Sequence, residues 1–288
     1  MMNSLVSPPS SSVTYDAITE GLQALGLDAA STVIVHSSLR TFGHVEGGAL
    51  TVCRALIDIC GTVLVPAGSW ALTGIPAPPG LVRPHNAAAM AASWDVFDAA
   101  VAHAHPYTPD LPVDRELGRI PETMRQAFSH RRSIHPLLSY IAVGKHADRL
   151  VRAQRLDWPL GPIEALEELG GDVLLLGVTH ESNTTIHLAE QRLGRSRFFR
   201  YAKLDHQVWI EVPNIPGQSH RFDDIEPEVA HMTREVMIGT CRARRLAVVD
   251  VLAAAERLIV ADPAALLCDD PADRCGAALQ QRLAWLAG

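Results

Sequence analysis

The sequence predicts an α/β protein in which buried strands alternate with helices. Two short β-branched runs, 32–36 and 62–66, flank a stretch with apolar residues at helical spacing. A third apolar run, 172–177, follows a glycine pair and precedes another helical pattern. Continuous apolar runs are typical of strands covered on both faces, and strand–helix–strand order favours a parallel sheet.

Length, composition and charge define the broad class of the chain. Its 288 residues, 48% of them hydrophobic, are enough for a substantial core. We expect a disordered tail at 1–12 and a single domain over 13–288. The net charge of −7 argues against nucleic acid as a partner, although it suits a cationic ligand. Five sparse cysteines, no signal-peptide pattern and no bilayer-length apolar run predict a cytoplasmic protein without a membrane partner.

The first half of the chain reads as elements separated by glycine and proline. Apolar residues recur at helical spacing in 14–25 and 49–60, and 114–128 reads as a further helix. Periodicity is poor between 67 and 112, although 87–102 could be helical. The run 138–143 reads as a further strand. The segment 67–112 is rich in Pro, Gly and Ala, and is either a lid or binding loop or a surface excursion.

The second half of the chain is predicted to be mainly helical towards its end. Pro162 suits the first turn of a helix that leads into the strand at 172–177. Patterns rich in Ala and Leu predict helices at 226–240, 247–259 and 272–285. Segments 205–212 and 219–222 could pair as a hairpin across the Pro-Gly turn at 216–217.

Polar side chains are concentrated just after the strand at 172–177. Ser182 or Asn183 can cap the following helix, and the carboxyl ends of strands are where ligands bind in open α/β sheets. On that helix His187 and Glu190 are three residues apart and share a face. A carboxylate that orients an imidazole makes a general-base pair. The alternative is a solvated helical pair, and spacing alone does not separate the two interpretations.

A second polar loop follows the strand at 32–36. It begins with His36, Ser37, Ser38 and Leu39 and reaches a helix that opens near Gly47, Gly48 and Thr51. Such a loop presents free N–H groups to an anion or an amide-rich ligand. The dinucleotide fingerprint G-x-G-x-x-G is absent. The alternative is that the glycines only relieve a tight turn.

Three further features allow a structural or a functional interpretation. His135 precedes Pro136 and is expected to be held extended, either in a cleft or in the interior. The arginines at 192, 195, 197 and 200 are interpreted as a solvated basic patch rather than a phosphate site. Cys268 and Cys275 are interpreted as unligated thiols, although they could form half of a zinc site.

Several blocks, taken together and in order, resemble the aminoglycoside 3-N-acetyltransferase family. The blocks are Val33-Ile-Val-His-Ser-Ser-Leu39, Val45-Glu-Gly-Gly48 with Thr51, Gly61-Thr-Val-Leu-Val-Pro66, Thr108-Pro-Asp with Gly118, Arg132-Ser-Ile-His-Pro136, and Val173-Leu-Leu-Leu-Gly-Val-Thr-His-Glu-Ser-Asn-Thr-Thr-Ile-His-Leu-Ala-Glu190. They cover about residues 14–200. The last block is the most specific, and the C-terminal third matches weakly.

The resemblance implies a three-layer α/β/α fold with a mixed sheet, distinct from the common N-acetyltransferase fold, and acetyl-CoA as donor. It places catalytic roles on His187, Glu190 and Glu181, with no metal. Its coenzyme loop falls on His36, Ser37, Ser38, Leu39, Gly47, Gly48 and Thr51. We assign acceptor binding to Glu181, Asn183, Thr184 and His135.

This sequence departs from the family pattern around the expected acceptor pocket. Glu181 stands where the family usually has Asp, and Val65-Pro66-Ala67 replaces the usual Met-Pro-Thr. Leu137 and Leu138 replace small polar residues after His-Pro. Because these departures lie around the acceptor pocket, the sequence leaves open which cationic amine is acetylated. The 3-amine of an aminoglycoside is the acceptor that the resemblance implies.

The hypothesis is direct acetyl transfer with His187 as base, in a monomer or homodimer. One alternative is a metal-dependent hydrolase that uses His180, Glu181, His187 and Glu190, although no H-E-x-x-H spacing is present. The other is a non-catalytic coenzyme-A-binding protein, against which the intact His187 and Glu190 argue.

Overall fold

The computed structural model describes residues 12–81, 89–268, 270 and 273–287. Almost all of the predicted tail, and residues 87 and 88 of one predicted helix, lie outside the described residues. The strands are β1 (Thr32–Ser37), β2 (Thr62–Pro66), β3 (Gly74–Ile75), β4 (Arg131–Arg132), β5 (Tyr140–Gly144), β6 (Asp172–Leu176), β7 (Phe198–Asp205), β8 (Val208–Ile215), β9 (Arg234–Ile238) and β10 (Cys241–Ala247). The α-helices are α1 (Tyr15–Ala24), α2 (Ala49–Ile59), α3 (Trp70–Thr73), α4 (Trp94–His103), α5 (Arg119–Ala127), α6 (Ala147–Arg152), α7 (Gly161–Glu168), α8 (Thr184–Arg192), α9 (Glu226–Val229), α10 (Val248–Ala261) and α11 (Arg274–Ala287).

The main sheet is mixed and has the strand order β4-β5-β2-β1-β6-β10-β9. Its centre is parallel, because β1 pairs in parallel with both β2 and β6. The outer pairings are antiparallel, with β5 against β2 and β10 against β6. The three parallel strands therefore end at one edge of the sheet, where ligands bind in open α/β folds.

Helices cover both faces of this sheet, which confirms the predicted three-layer α/β/α architecture. On β6, Val173 and Leu175 belong to the core beneath α7, α8 and α10. Leu174 and Leu176 point the other way, into the core beneath α1, α2 and α5. This alternation follows from the two-residue period of a strand. Each such buried side chain contributes about 1.5–3 kcal/mol of transfer free energy.

A small second sheet, ordered β3-β7-β8, lies beyond the main one. Much of the segment 67–112 surrounds it, since α3, β3 and α4 all come from that segment. Phe198 and Ala202 of β7 pack with Leu137 on one face. Tyr201 packs with Phe97 of α4 on the other.

Two predictions for the second half of the chain are wrong. The hairpin consists of β7 and β8 and turns at 206–207, instead of crossing the Pro-Gly pair at 216–217. The helix predicted over 226–240 stops at Val229, and β9 follows at Arg234–Ile238. Pairing of β9 with β10, which extends the sheet from β6, overrides the helical propensity of this stretch.

Most of the other helix predictions are close to the observed elements, although the helix predicted over 87–102 begins only at Trp94. The helices predicted at 14–25, 49–60, 247–259 and 272–285 appear as α1, α2, α10 and α11. The stretch 114–128 forms a short 3-10 turn before α5 begins at Arg119. In the described ranges, no helix combines the length and apolar character needed to cross a membrane.

Candidate active site

The turn after β6 delivers the polar residues to the carboxyl edge of the sheet. Gly177 ends the strand with φ +67°, and a Cβ there would lie 1.7 Å from Thr41 Oγ1. Only glycine fits this close approach to the 3-10 turn that follows β1. The side chain of Asn183 then accepts a hydrogen bond of 3.2 Å from the Thr185 N–H and caps α8.

His187 and Glu190 form a direct, buried pair on α8. Nδ1 of His187 lies 2.7 Å from Glu190 Oε2. Glu190 is fully buried and His187 is 9% exposed. The ring of His187 also packs edge-on against Phe222, with centroids 4.7 Å apart. When Nδ1 carries the proton that is donated to Glu190, Nε2 is left as the proton acceptor, as a general base requires.

The second carboxylate oxygen of Glu190 has its own partners. Oε1 accepts hydrogen bonds from Arg195 Nη2 at 2.7 Å and from Ser196 Oγ at 3.1 Å. Burial alone would raise the pKa of Glu190, but His187 and Arg195 outweigh burial and lower it. Glu190 is therefore an anion at neutral pH. The prediction that Arg195 belongs to a solvated patch is wrong, because a buried carboxylate draws this guanidinium inward.

Two adjoining clefts open at this edge of the sheet. The strand-end cleft is lined by Val35, His36, Ser37, Pro66, Glu116, Leu117, Pro121, Ser182 and Thr184. The His187 cleft is lined by Pro66, Gly68, Trp70, Leu117, Leu138, Ser139, Tyr140, Leu160, Thr184, His187 and Pro216. Their volumes are about 150 and 170 Å³, so each has room for one part of a small molecule rather than for a whole drug-sized ligand. Thr184 borders both, so a ligand in one can meet a ligand in the other beside His187.

Only some of the residues predicted to bind coenzyme line these clefts. His36 and Ser37 do so directly. The N–H of Ser38 is already donated to Leu176 O at 2.9 Å. Gly48 stands at the N-cap of α2 with φ +63° and open space around the position of a Cβ. Thr51 Oγ1 donates to Glu46 O at 2.5 Å, so its hydroxyl stabilises the loop.

The four predicted acceptor residues lie in four different settings. Thr184 lines both clefts, whereas the side chain of Asn183 is occupied by the cap of α8. Glu181 is exposed on the turn before α8. His135 is fully buried, and its Nδ1 accepts hydrogen bonds from the backbone N–H groups of Leu137 and Leu138. This places the His135 ring inside the turn that carries Leu138 to the His187 cleft.

The ligand atoms required by the metal-hydrolase alternative do not converge. Nε2 of His180 lies 3.3 Å from Glu226, whereas Nδ1 of His187 is paired with Glu190 at 2.7 Å. Glu190 is already saturated by three side chains, one of them a cation. In the described parts of the chain, the His, Cys, Asp and Glu ligand atoms that do come together belong to His220, Cys268 and Asp273, within 4.8 Å of one another.

Three buried histidines are expected to make the fold sensitive to mild acid. Burial is the main cause that lowers the pKa of His36 and His135 to about 3, and that of His180 to about 4, from 6.5. The unfolded chain binds these protons near pH 6.5 and the folded chain does not, so stability falls below that pH. We expect a loss of about 2 kcal/mol per histidine between pH 7 and pH 5, measured by urea unfolding.

A matched pair of variants isolates this effect. His36→Asn should make the free energy of unfolding fall less steeply as pH decreases, because unfolding then takes up one proton fewer. His206→Asn, at an exposed position in the β7–β8 turn, should leave the slope unchanged. A His36→Asn slope equal to that of the unaltered protein would show that His36 does not stay neutral in the fold.

Comparison with known proteins identifies the family. The sequence model that describes aminoglycoside 3-N-acetyltransferases matches residues 34–259, well over half of the chain. This chain belongs to the aminoglycoside 3-N-acetyltransferase family. It is 32% identical over 260 residues to the aminoglycoside N(3')-acetyltransferase-like protein YokD of Bacillus subtilis, covering 86% of this chain and 92% of YokD.

Other acetyltransferases show the same relationship. Aminoglycoside N(3)-acetyltransferase III of Salmonella is 37% identical over 213 residues, which cover 71% of this chain and 67% of that protein. The crystal structure of YokD superposes with a TM-score of 0.76 over 88% of this chain and 95% of YokD. The AAC-IIIb complex with CoASH shares the fold at 22% identity, with a TM-score of 0.71 over 86% of this chain and 98% of that chain.

The sequence does not assign several residues to the site of this acetyltransferase family member. Arg195 and Ser196 complete the surroundings of Glu190 but lie beyond the end of α8. Trp70, Leu160 and Pro216 supply apolar walls of the His187 cleft from three separate segments. Ordinary apolar residues in loops carry no local pattern that would assign them to a cleft, so only the folded chain reveals them.

Proposed function

We propose that this protein acetylates an amine of an aminoglycoside, at the 3-amino position, with acetyl-CoA as donor. The observation that carries the proposal is the buried His187–Glu190 pair, 2.7 Å apart, with His187 facing a cleft. Family membership supports the donor and the class of acceptor, since the relatives are aminoglycoside N(3)-acetyltransferases and a protein of the same fold binds CoASH.

In this mechanism His187 acts as the general base, and Glu190 fixes its orientation. An ammonium group cannot attack a thioester, so Nε2 of His187 removes a proton from the acceptor. The amine nitrogen attacks the acetyl carbonyl carbon, a C–N bond forms and the C–S bond breaks. The nitrogen then loses its second proton, the leaving coenzyme thiolate takes up a proton, and His187 returns its own proton to solvent. General-base catalysis of this kind contributes about 10²–10⁴-fold.

The two clefts provide complementary places for the reactants. The strand-end cleft, with His36 and Ser37, would hold the acyl end of the coenzyme. The His187 cleft would hold the acceptor amine. Thr184 lies at the junction, where a hydroxyl or helix N-terminal N–H could stabilise the developing oxyanion. Glu181, exposed on the turn before α8, would attract a cationic acceptor.

Thiol release from acetyl-CoA in the presence of an aminoglycoside panel tests the proposed reaction. We expect release that depends on the acceptor, with acetylation at the 3-amine established by NMR of the product. Release without any acceptor would indicate hydrolysis of the thioester. Coenzyme binding with no turnover on any member of the panel would contradict an aminoglycoside as the acceptor. The replacement of small polar residues by Leu138 in the cleft would then direct the search to less polar amines.

A further inference from the structure

Arg195 is a buried arginine that pairs with the buried carboxylate of Glu190. Its side chain is 3% exposed, and Nη2 lies 2.7 Å from Glu190 Oε1. Nη1 donates to the carbonyl oxygens of Pro263 and Ala265, at 2.9 and 2.6 Å. One guanidinium is thus fixed to a buried carboxylate on one side and to two backbone carbonyls on the other. A side chain held at three points has no freedom to swing away from Glu190.

The surroundings of Arg195 hold the guanidinium in this place. Gly194, at φ +72°, turns the chain after α8, and the Arg195 N–H donates to Glu190 O at 2.9 Å. From α11, Arg282 donates to Gly194 O at 2.8 Å. The two carbonyls that anchor Arg195 follow α10, beyond residue 259 where the family match ends. The C-terminal part of this chain therefore secures the partner of Glu190.

The positive charge of Arg195 has a consequence for proton uptake by the His187–Glu190 pair. A buried carboxylate without a counter-ion would favour protonation of the pair, whichever of the two residues held the proton. A protonated pair contains either an imidazolium or a neutral carboxyl group, and neither state is the proposed oriented base. The cation 2.7 Å from Oε1 opposes that protonation, so Glu190 remains an anion that orients His187.

We propose that Arg195 is a positioning residue for the acetyl transfer: it holds Glu190 as an anion in the place where Glu190 orients the His187 ring. This inference rests on the proposed function, because it requires His187 to be the base. Arg195 does not touch either reactant and acts through Glu190.

The test compares Arg195→Gln, Arg195→Lys and Arg197→Gln. Glutamine removes the charge, whereas lysine keeps it but cannot bridge Glu190 and the two carbonyls. Arg197, an exposed residue of the same segment, donates to Gln191 O at 2.9 Å and lies over the Trp158 ring, so it controls for the loss of a nearby arginine that does not contact Glu190. The readouts are kcat, the KM for acetyl-CoA and the acidic limb of the pH–kcat profile.

For Arg195→Gln we expect kcat to fall by about 100-fold, the size of a misplaced catalytic group, with little change in the KM for acetyl-CoA. The acidic limb should move to higher pH by about one unit, because a neighbouring cation has been lost. Arg195→Lys should lower kcat but keep the acidic limb in place. Arg197→Gln should leave both unchanged.

An Arg195→Gln enzyme that folds, as judged by circular dichroism, yet keeps the original acidic limb would overturn the inference. If that variant does not fold, Arg195→Lys decides, and an upward shift of its acidic limb by one unit would overturn the inference. His187→Ala separates this from the proposed function. Full activity in His187→Ala would show that His187 is not the base and would refute the proposed mechanism. An inactive His187→Ala, together with an unshifted acidic limb in Arg195→Gln, would refute only the role of Arg195.

Discussion

Replacing His187 with alanine is expected to lower kcat by about 10²–10⁴-fold while acetyl-CoA still binds with close to its original affinity. The reason is that the imidazole is the group placed to take the ammonium proton, and its Nδ1 is committed to Glu190 at 2.7 Å. Binding should persist because the proposed coenzyme residues, His36 and Ser37, line the adjoining strand-end cleft. Thiol release measures turnover, and isothermal titration with CoA measures binding.

The matched control for this variant is His206→Ala. His206 lies in the exposed turn between β7 and β8 and lines neither cleft, so its loss should leave turnover unchanged. A His187→Ala protein that retains near-original turnover would show that another group, such as His36, removes the proton. A protein that loses turnover together with coenzyme affinity would instead point to a collapsed site.

The sequence predicts the layered fold well because its information is local. The apolar run of β6 places Val173 and Leu175 on one face and Leu174 and Leu176 on the other, and any such strand needs two helical layers. The errors arise where partners are distant in sequence. Residues 234–238 form a strand because β10 offers them an edge, and that pairing leaves no mark in their own composition.

The same division holds for the site. The contact between His187 and Glu190 follows from the geometry of one helix, so the spacing alone predicts it. Arg195 also follows Glu190 closely, but its role depends on a turn at Gly194 and on carbonyl groups beyond residue 260. Because Arg195 is buried, its charge belongs to the site and not to the solvated patch that the sequence suggests. A guanidinium drawn inward by a buried carboxylate is indistinguishable, in sequence, from one in a solvated patch.

Replacing Glu190 with glutamine is expected to cost about 3–5 kcal/mol in unfolding free energy, in addition to a loss of activity, because it leaves Arg195 as an uncompensated buried cation. Glu190 and Arg195 are 1% and 3% exposed at their side chains, so water does not replace the lost partner. Urea unfolding at pH 7.5 measures the change. The control is Glu167→Gln, which breaks a half-exposed pair with Arg192 at 2.6 Å and should cost less than about 1 kcal/mol.

A double variant separates the charge effect from a simple packing defect. Adding Arg195→Met to Glu190→Gln removes the unpaired cation, so much of the lost stability should return, while activity should not. Stability that stays low in the double variant would show that lost hydrogen bonds, including those from Arg195 to the Pro263 and Ala265 carbonyls, outweigh the effect of the unpaired charge. Because the folded pKa of Glu190 is lowered, its contribution is complete above about pH 4.5 and fades as pH falls through the folded value. The stabilities of the unaltered protein and of Glu190→Gln should therefore converge in acid.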